Sequence, residues 1–455
     1  MGLGSSWRLS FFHSAQSRSG STKDQLNEEY LPNSPTSDAR TARRQPNVGR
    51  PRDKHLAPKA KSSDTAAPGA HTGSMSVNTR RTAEVAAVAA PASTAPAAPA
   101  EPAPSTPTTG PITREELQLA SRNHAMPLEM LQWPITPLGM HYLLVHFDVP
   151  KIDPVSWRLK IGGLVDHPHE YILPDLQQRE RRTQAVTMEC AGNGRSRLEP
   201  RPVSQPWDQG GVGTAEWTGT PLAPLLLDAG VSPDAVELVF TGTDRGIQGG
   251  VEHQYARSLT LAEAMSDDVL LAYEVNGQAL PPQHGYPVRL LVPGWYGMTS
   301  VKWLQSIDAI DHSFEGYQQL HSYRYTQAAD DPGEPVQRIK VRSLMAPPGV
   351  PDFLTRQRTV HAGPVQLSGR AWSGQGTVDS VEVCVDGIWE QAQLQAPTGR
   401  HAWRGWTFTW IATPGSHELA CRATDSTGQT QPEAPEWTYL GMGNNDIQRL
   451  TVTVR

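Results

Sequence analysis

Cysteine is scarce in this sequence: 455 residues contain three, at positions 190, 384 and 421. No two of them form a Cys-x-x-Cys pair, which excludes the common structural zinc sites and a disulfide framework, and there is no Cys-x-x-Cys-His motif for covalent haem. Neither sign of charge dominates. A formal net charge of -6 leaves no global basic field to attract nucleic acid or an anionic membrane. Long apolar runs are also missing, and none approaches the ~20 residues that cross a bilayer. The expectation is a chain with no nucleic-acid or membrane partner and no attached haem, long enough for roughly two or three domains.

What is present changes in character along the chain. Residues 1–110 are rich in Ser, Thr, Pro, Ala and Arg, cannot bury enough apolar surface to offset their ordering entropy, and are predicted to be a disordered extension. Met1-Gly2 with Ser6 fits a myristoylation pattern, and Arg80-Arg81 before an Ala-rich stretch resembles a twin-arginine export signal interrupted by Glu84. The expected location is cytoplasmic, with the periplasm as the alternative if translation starts at Met75.

Thr113 followed by Glu115 and Glu116 predicts a helix start. Strands are predicted at His141 to Val149, Val155 to Val165, Ala185 to Met188, Val236 to Thr241, Leu270 to Val275 and Val288 to Val292. Short helices fit at Pro221 to Ala229, closed by Gly230, and at Leu261 to Met265. After the Gly333-Glu334-Pro335 and Pro347-Pro348-Gly349 turns, five more short strands from Val365 to Val454 suggest an immunoglobulin-like β-sandwich. The fold class is α+β and strand-rich, with a catalytic domain over 111–335 and the sandwich over 336–455. In the sandwich, Cys384 shares a strand face with Glu382 and Cys421 one with Leu419. One is expected to point out and one in, as two structural thiols without an intersheet disulfide.

The stretch Thr187 to Pro200, TMECAGNGRSRLEP, is the centre of the functional reading. Cys190 sits between a strand-like approach and a glycine-rich turn. Alone it reads more readily as a packed thiol than as a soft ligand for a redox metal. Arg195 fits bidentate oxyanion binding or a surface pair with Glu199, and Tyr255 is a hydrogen-bonding phenol or a buried structural tyrosine. His284, Arg289 and Lys302 suit a buried phosphate, or a core-edge His, a strand-end Arg and a snorkelling Lys. Asp244 and Arg245, in the turn-like TDRG, fit loop salt-bridge residues equally well and are not counted among the site residues.

Taken together, Glu189-Cys190-Ala191-Gly192-Asn193, WTGTPL (Trp217 to Leu222), LLAYEVNGQALPPQHGYPVRLLVPGWYGMTSVKWL (Leu270 to Leu304), VEVCVDGIWEQA (Val381 to Ala392) and ACRATDSTGQTQP (Ala420 to Pro432) resemble the sulfite oxidase family of molybdenum enzymes. The resemblance runs from about Thr113 to the C-terminus, with no cytochrome b5-like domain. It implies that Cys190 supplies a thiolate to molybdenum, which a pyranopterin also holds, and that Arg195 and Tyr255 line the substrate pocket. His146, His284, Arg289 and Lys302 hold the pterin and its phosphate. The implied reaction is oxygen-atom transfer, oxidising sulfite to sulfate and passing electrons to an external acceptor, oxygen or a cytochrome. The implied assembly is a homodimer through the sandwich.

Two positions depart from the family pattern. Leu144 stands where a second substrate arginine is usual, and Thr299 where a phosphate-binding arginine is. The loss at 144 points to weaker sulfite binding or to a neutral sulfoxide substrate, unless Arg122, in Arg122-Asn123-His124, folds back to replace it. The alternatives are reduction of a sulfoxide or another S- or N-oxide on the same cofactor, and a non-catalytic interaction protein using the sandwich.

Overall fold

Alternating small and β-branched residues build two sheets in the first half of the described chain. The structure, a computed structural model, describes residues 106–455; the readings at Gly2, Met75 and Arg80-Arg81 lie outside the described residues. One sheet runs in the order His169–Tyr171, Leu159–Gly163, Leu304–Ile310, Glu237–Gln248, Val251–Thr260. Its core contains Leu159, Ile161, Phe240 and Ile307, the inward set of a period-two pattern. The other sheet pairs Arg182–Glu189 with Val212–Pro221, then Leu270–Val275, which also pairs with Arg289–Leu291. Met188, Cys190, Trp207, Trp217 and Leu270 pack in its core.

The helices follow their end signals. Arg114–Arg122 opens with a capping box in which Glu116 N–H donates to Thr113 Oγ1 at 3.2 Å and Thr113 N–H donates to Glu116 Oε2 at 2.8 Å. Leu222–Ala229 ends at Gly230, which takes the left-handed conformation. Thr108, inside the segment expected to be disordered, exchanges two backbone hydrogen bonds with Arg201, so ordered chain begins before 110.

The second half is a sandwich. A four-stranded sheet built on Gly363–Trp372 and Arg404–Ala412 faces a six-stranded sheet built on Gln448–Val454, Gly415–Asp425 and Val378–Val385, with Val381, Trp406, Leu419 and Cys421 between them. Cys384 and Cys421 are both free and lie on neighbouring strands of one sheet, one register step apart, so they face opposite sides. Cys421 lies in the core between the sheets and Cys384 on the outer face, as expected, but Cys384 is covered there: it is buried with Ala420 and Ile447, and Trp389 packs against it.

The expected strand from His141 to Val149 does not form. That segment is irregular, with a single bridge from Leu143 to His124. Its backbone is claimed by side chains instead: Val145 N–H donates to Asn123 Oδ1 at 2.7 Å, and the Leu144 carbonyl accepts from Lys302 Nζ at 2.8 Å. A strand would turn every second side chain away, whereas His141, Tyr142, Leu143, Leu144 and His146 all line one cavity.

Candidate active site

The cavity is assembled around the end of the strand Arg182–Glu189. Alternation along that strand brings Met188 and Cys190 to the cavity wall and sends Thr187 and Glu189 to the opposite side. The following turn is tied by Asn193 N–H to the Cys190 carbonyl at 2.9 Å and by Gly211 N–H to Asn193 Oδ1 at 2.9 Å. A Cβ at Gly192 would stand 2.4 Å from the Arg195 guanidinium, so a larger residue there would displace that side chain, and Gly194 adopts φ 86°. Burial pushes the Cys190 thiol up, against the pull of Arg195 and the Trp207 indole. A bound metal cation would reverse that balance and favour the thiolate.

Two groups of side chains share the cavity with Cys190. In the first, Tyr255 O–H donates to the Met298 carbonyl at 2.7 Å, and Tyr323 shares a 2.8 Å hydrogen bond with His146 Nε2. The His146 and Tyr255 rings lie 4.9 Å apart. Burial holds His146 neutral, its pKa lowered to about 3, and raises both phenols, with the Cys190 charge adding to the rise. At neutral pH this is a set of uncharged donors and acceptors next to a sulfur.

The second group carries charge. Arg289 is buried, its pKa lowered to about 10 by desolvation, and it stays a cation; it donates to the carbonyls of His284 at 3.1 Å and Ser300 at 2.9 Å and lies 4.8 Å above the Trp217 ring. Lys302 donates to the carbonyls of Leu144 at 2.8 Å and Gln283 at 3.1 Å, and burial lowers its pKa to about 7. His141 and His284 meet edge to face at 5.8 Å and are kept neutral by burial, at about 4 and about 2. Neither Arg289 nor Lys302 forms an ion pair with a carboxylate among the described residues. Buried cations without a counter-ion are rare in proteins, so this arrangement fits a ligand that carries its own negative charge, as the phosphate of a pterin does.

Of the seven residues expected to form the site, Cys190, Tyr255, His146, His284, Arg289 and Lys302 line the cavity together. Arg195 does not. It is buried rather than paired with Glu199, and it donates to the carbonyls of Leu440 at 3.2 Å and Gln205 at 2.9 Å and to Met442 Sδ at 3.5 Å. Arg122-Asn123-His124 does fold back along 143–147, but Arg122 binds the Phe147 carbonyl and stands 3.8 Å from Asp148 at the exposed surface. It replaces nothing inside.

Three residues were missed or misread. Arg245 pairs across its hairpin with Glu252 at 2.8 Å, as a loop residue would, but Asp244 turns into the cavity. Burial raises its pKa to about 7, opposed by Lys302. Tyr323 had no local signal. His141 had one, as the second histidine of the segment that already offered His146.

Known proteins share this chain's two halves. Residues 146–318 match the oxidoreductase molybdopterin binding domain and residues 334–455 the Mo-co oxidoreductase dimerisation domain. The sulfite oxidase of Gallus gallus is 34% identical over 348 residues, which cover 70% of this chain and 73% of that protein. The chain belongs to the sulfite oxidase family of molybdopterin oxidoreductases. Within it, the NADH nitrate reductase of Ulva prolifera is 31% identical over 70% of this chain, which spans only 40% of that longer protein. The sulfane dehydrogenase SoxCD from Paracoccus pantotrophus has the same fold at a TM-score of 0.63 and 29% identity, over 73% of this chain and 86% of that one.

Proposed function

We propose that this family member oxidises sulfite to sulfate at the cavity around Cys190. The observation that carries the reading is the conjunction, in one cavity, of a buried cysteine with two basic side chains, Arg289 and Lys302, whose hydrogen bonds go to backbone carbonyls and not to a carboxylate. Molybdenum held by a pyranopterin supplies oxygen-atom transfer when bound. Cys190 would be its protein ligand, and Arg289, Lys302, His284 and His146 would hold the pterin and its phosphate. Tyr255, with His146 and Tyr323 beside it, would present neutral hydrogen-bonding groups to the sulfur substrate. The net reaction consumes one water and releases two protons and two electrons, and the electrons pass to an external acceptor, oxygen or a cytochrome. Residues 111–335 form the catalytic domain, and residues 336–455 join two copies as a homodimer.

A second reading keeps the cofactor and changes the substrate. Leu144 lines the cavity and offers only its carbonyl, already bound by Lys302, so position 144 supplies no guanidinium to meet a doubly charged anion. That favours a sulfur substrate of lower charge, a sulfoxide being reduced. The test is purification with metal and pterin analysis, followed by two assays: sulfite-dependent reduction of ferricyanide and sulfoxide-dependent oxidation of reduced viologen. Activity only in the first supports sulfite, and activity only in the second replaces it. Cys190→Ser removes either activity by more than the ~10–100-fold expected for a group one layer further from a metal. An unaffected Cys190→Ser enzyme would sink both readings.

A further inference from the structure

Glu189 precedes Cys190, and the alternation of the strand turns it away from the cavity and under the C-terminal sandwich, where it is 2% exposed. Its carboxylate is fully engaged there. Arg342 Nη1 donates to Oε1 at 3.0 Å, Trp372 Nε1 to Oε2 at 2.8 Å, and Asn193 Nδ2 to Oε1 at 2.9 Å. Arg342 and Trp372 belong to the sandwich strands Arg342–Met345 and Gly363–Trp372. Arg342 is itself wholly buried and makes a second bond to the Asn444 carbonyl at 2.7 Å.

The same part of the sandwich grips the turn after Cys190. Asn444 Nδ2 donates to the Gly194 carbonyl at 2.9 Å, Gly443 N–H to the Ala191 carbonyl at 2.6 Å, and the Leu440 carbonyl accepts from Arg195 Nε at 3.2 Å. Ala191, Leu344, Trp372 and Met442 share one apolar cluster. A fully buried ion pair is seldom more stabilising than an apolar pair of the same size, so stability alone does not account for two charges placed here.

We propose that Glu189 and Arg342 are positioning residues, through which the sandwich fixes the Cys190 loop and balances the charge one residue from the thiolate. This rests on the reading of Cys190 as the metal's protein ligand. It makes the C-terminal domain part of the redox site as well as a dimerisation module. Charge near a metal-bound sulfur tunes the electron density that the sulfur donates.

Three variants of the loaded enzyme test this: Glu189→Gln, Arg342→Met and the pair together. Glu189→Gln leaves an unbalanced cation and raises the metal's midpoint potential, read by EPR-monitored titration; Arg342→Met leaves an unbalanced anion and lowers it. Both singles lose about tenfold in kcat while KM moves by less than about twofold. In the double variant the potential returns towards wild type, but amide hydrogen exchange over 190–195 stays faster than in wild type. Wild-type potentials in both singles, or wild-type exchange in the double variant, would overturn the proposal. If a single variant does not fold, the double variant leaves no charge uncompensated and its exchange result decides. Cys190→Ser is run alongside. An unchanged EPR signal there refutes the ligand reading, whereas a changed signal there with an unaltered Arg342→Met refutes only the positioning role.

Discussion

Two acid-base couples flank this cavity, and they are built in opposite ways. Glu189 and Arg342 meet at 3.0 Å, both essentially inaccessible to water, with further donors closing around the carboxylate. Asp244 and Lys302 also influence each other, yet Lys302 directs its hydrogens to two backbone carbonyls, and each is pushed by burial to titrate at about 7. The first couple pairs its two charges directly, although Arg342 Nε and Nη2 have no hydrogen-bond partner. The second is incomplete, and a buried charge left in that state either gives up its charge or waits for a partner. The contrast separates groups that hold the protein together from groups that hold something else.

The largest expected effect comes from breaking the closed couple. Arg342→Met leaves the Glu189 carboxylate buried without its cation and should destabilise the protein by about 3–5 kcal/mol, since removing one member of a buried pair strands the other. The measurement is a urea unfolding curve, and Glu189→Gln/Arg342→Met should recover most of the loss. A single variant as stable as wild type would mean that water or a rearranged donor satisfies Glu189 and that the couple is not closed.

Breaking the open couple should act on the ligand and leave the fold alone. Lys302→Met removes a cation whose hydrogen bonds go only to carbonyls and which otherwise lies over the Trp303 ring, so unfolding stability should change little or rise. Retention of the pterin should weaken by about 1.5–3 kcal/mol, the range for a hydrogen bond to a charged group. Molybdenum and pterin per chain, measured after dialysis, check this. Full retention would place the phosphate elsewhere.

This contrast also marks how far the sequence could be read. Short runs of β-branched and apolar residues locate the strands that lead to Cys190 and carry Arg289, both buried where they approach the cavity. The capping box at Thr113 and Glu116 is equally local. Contacts that close only in space leave no such trace: Arg342 lies 153 residues from Glu189, and no periodicity links them. Arg195 shows the limit within a single motif. Its spacing from Cys190 does not disclose that two of its donors go to the carbonyls of Leu440 and Gln205. The segment from His141 to Val149 has the composition of a strand and was misread for that reason, because propensity cannot register that Asn123 and Lys302 occupy the backbone groups a ladder would need.

The smallest expected effect is the pH dependence of the open couple in cofactor-free protein, and its two limbs have opposite signs. Asp244 is raised from 3.8 to about 7, so between these values the folded chain holds a proton that the unfolded chain has released. Its contribution to stability is fully present below 3.8 and is lost as pH rises through 7. Lys302 is lowered from 10.5 to about 7, so there the unfolded chain holds the extra proton. Its contribution is fully present above 10.5 and is lost as pH falls through 7. The two together predict a minimum near neutrality in stability measured by urea unfolding, each limb sloping by at most ~1.4 kcal/mol per pH unit, so that within one unit of neutrality the change stays below the effects above. A tenfold change in proton affinity corresponds to about 1.4 kcal/mol. Asp244→Asn should flatten the acidic limb and Lys302→Met the basic one, each leaving the other limb in place. Addition of sulfate, whose charge is fixed over this range, should stabilise wild type more at pH 6, where Lys302 is cationic, than at pH 9, where it is neutral. Equal stabilisation at both pH values would show that Arg289 alone holds the anion and that Lys302 takes no part in the open couple.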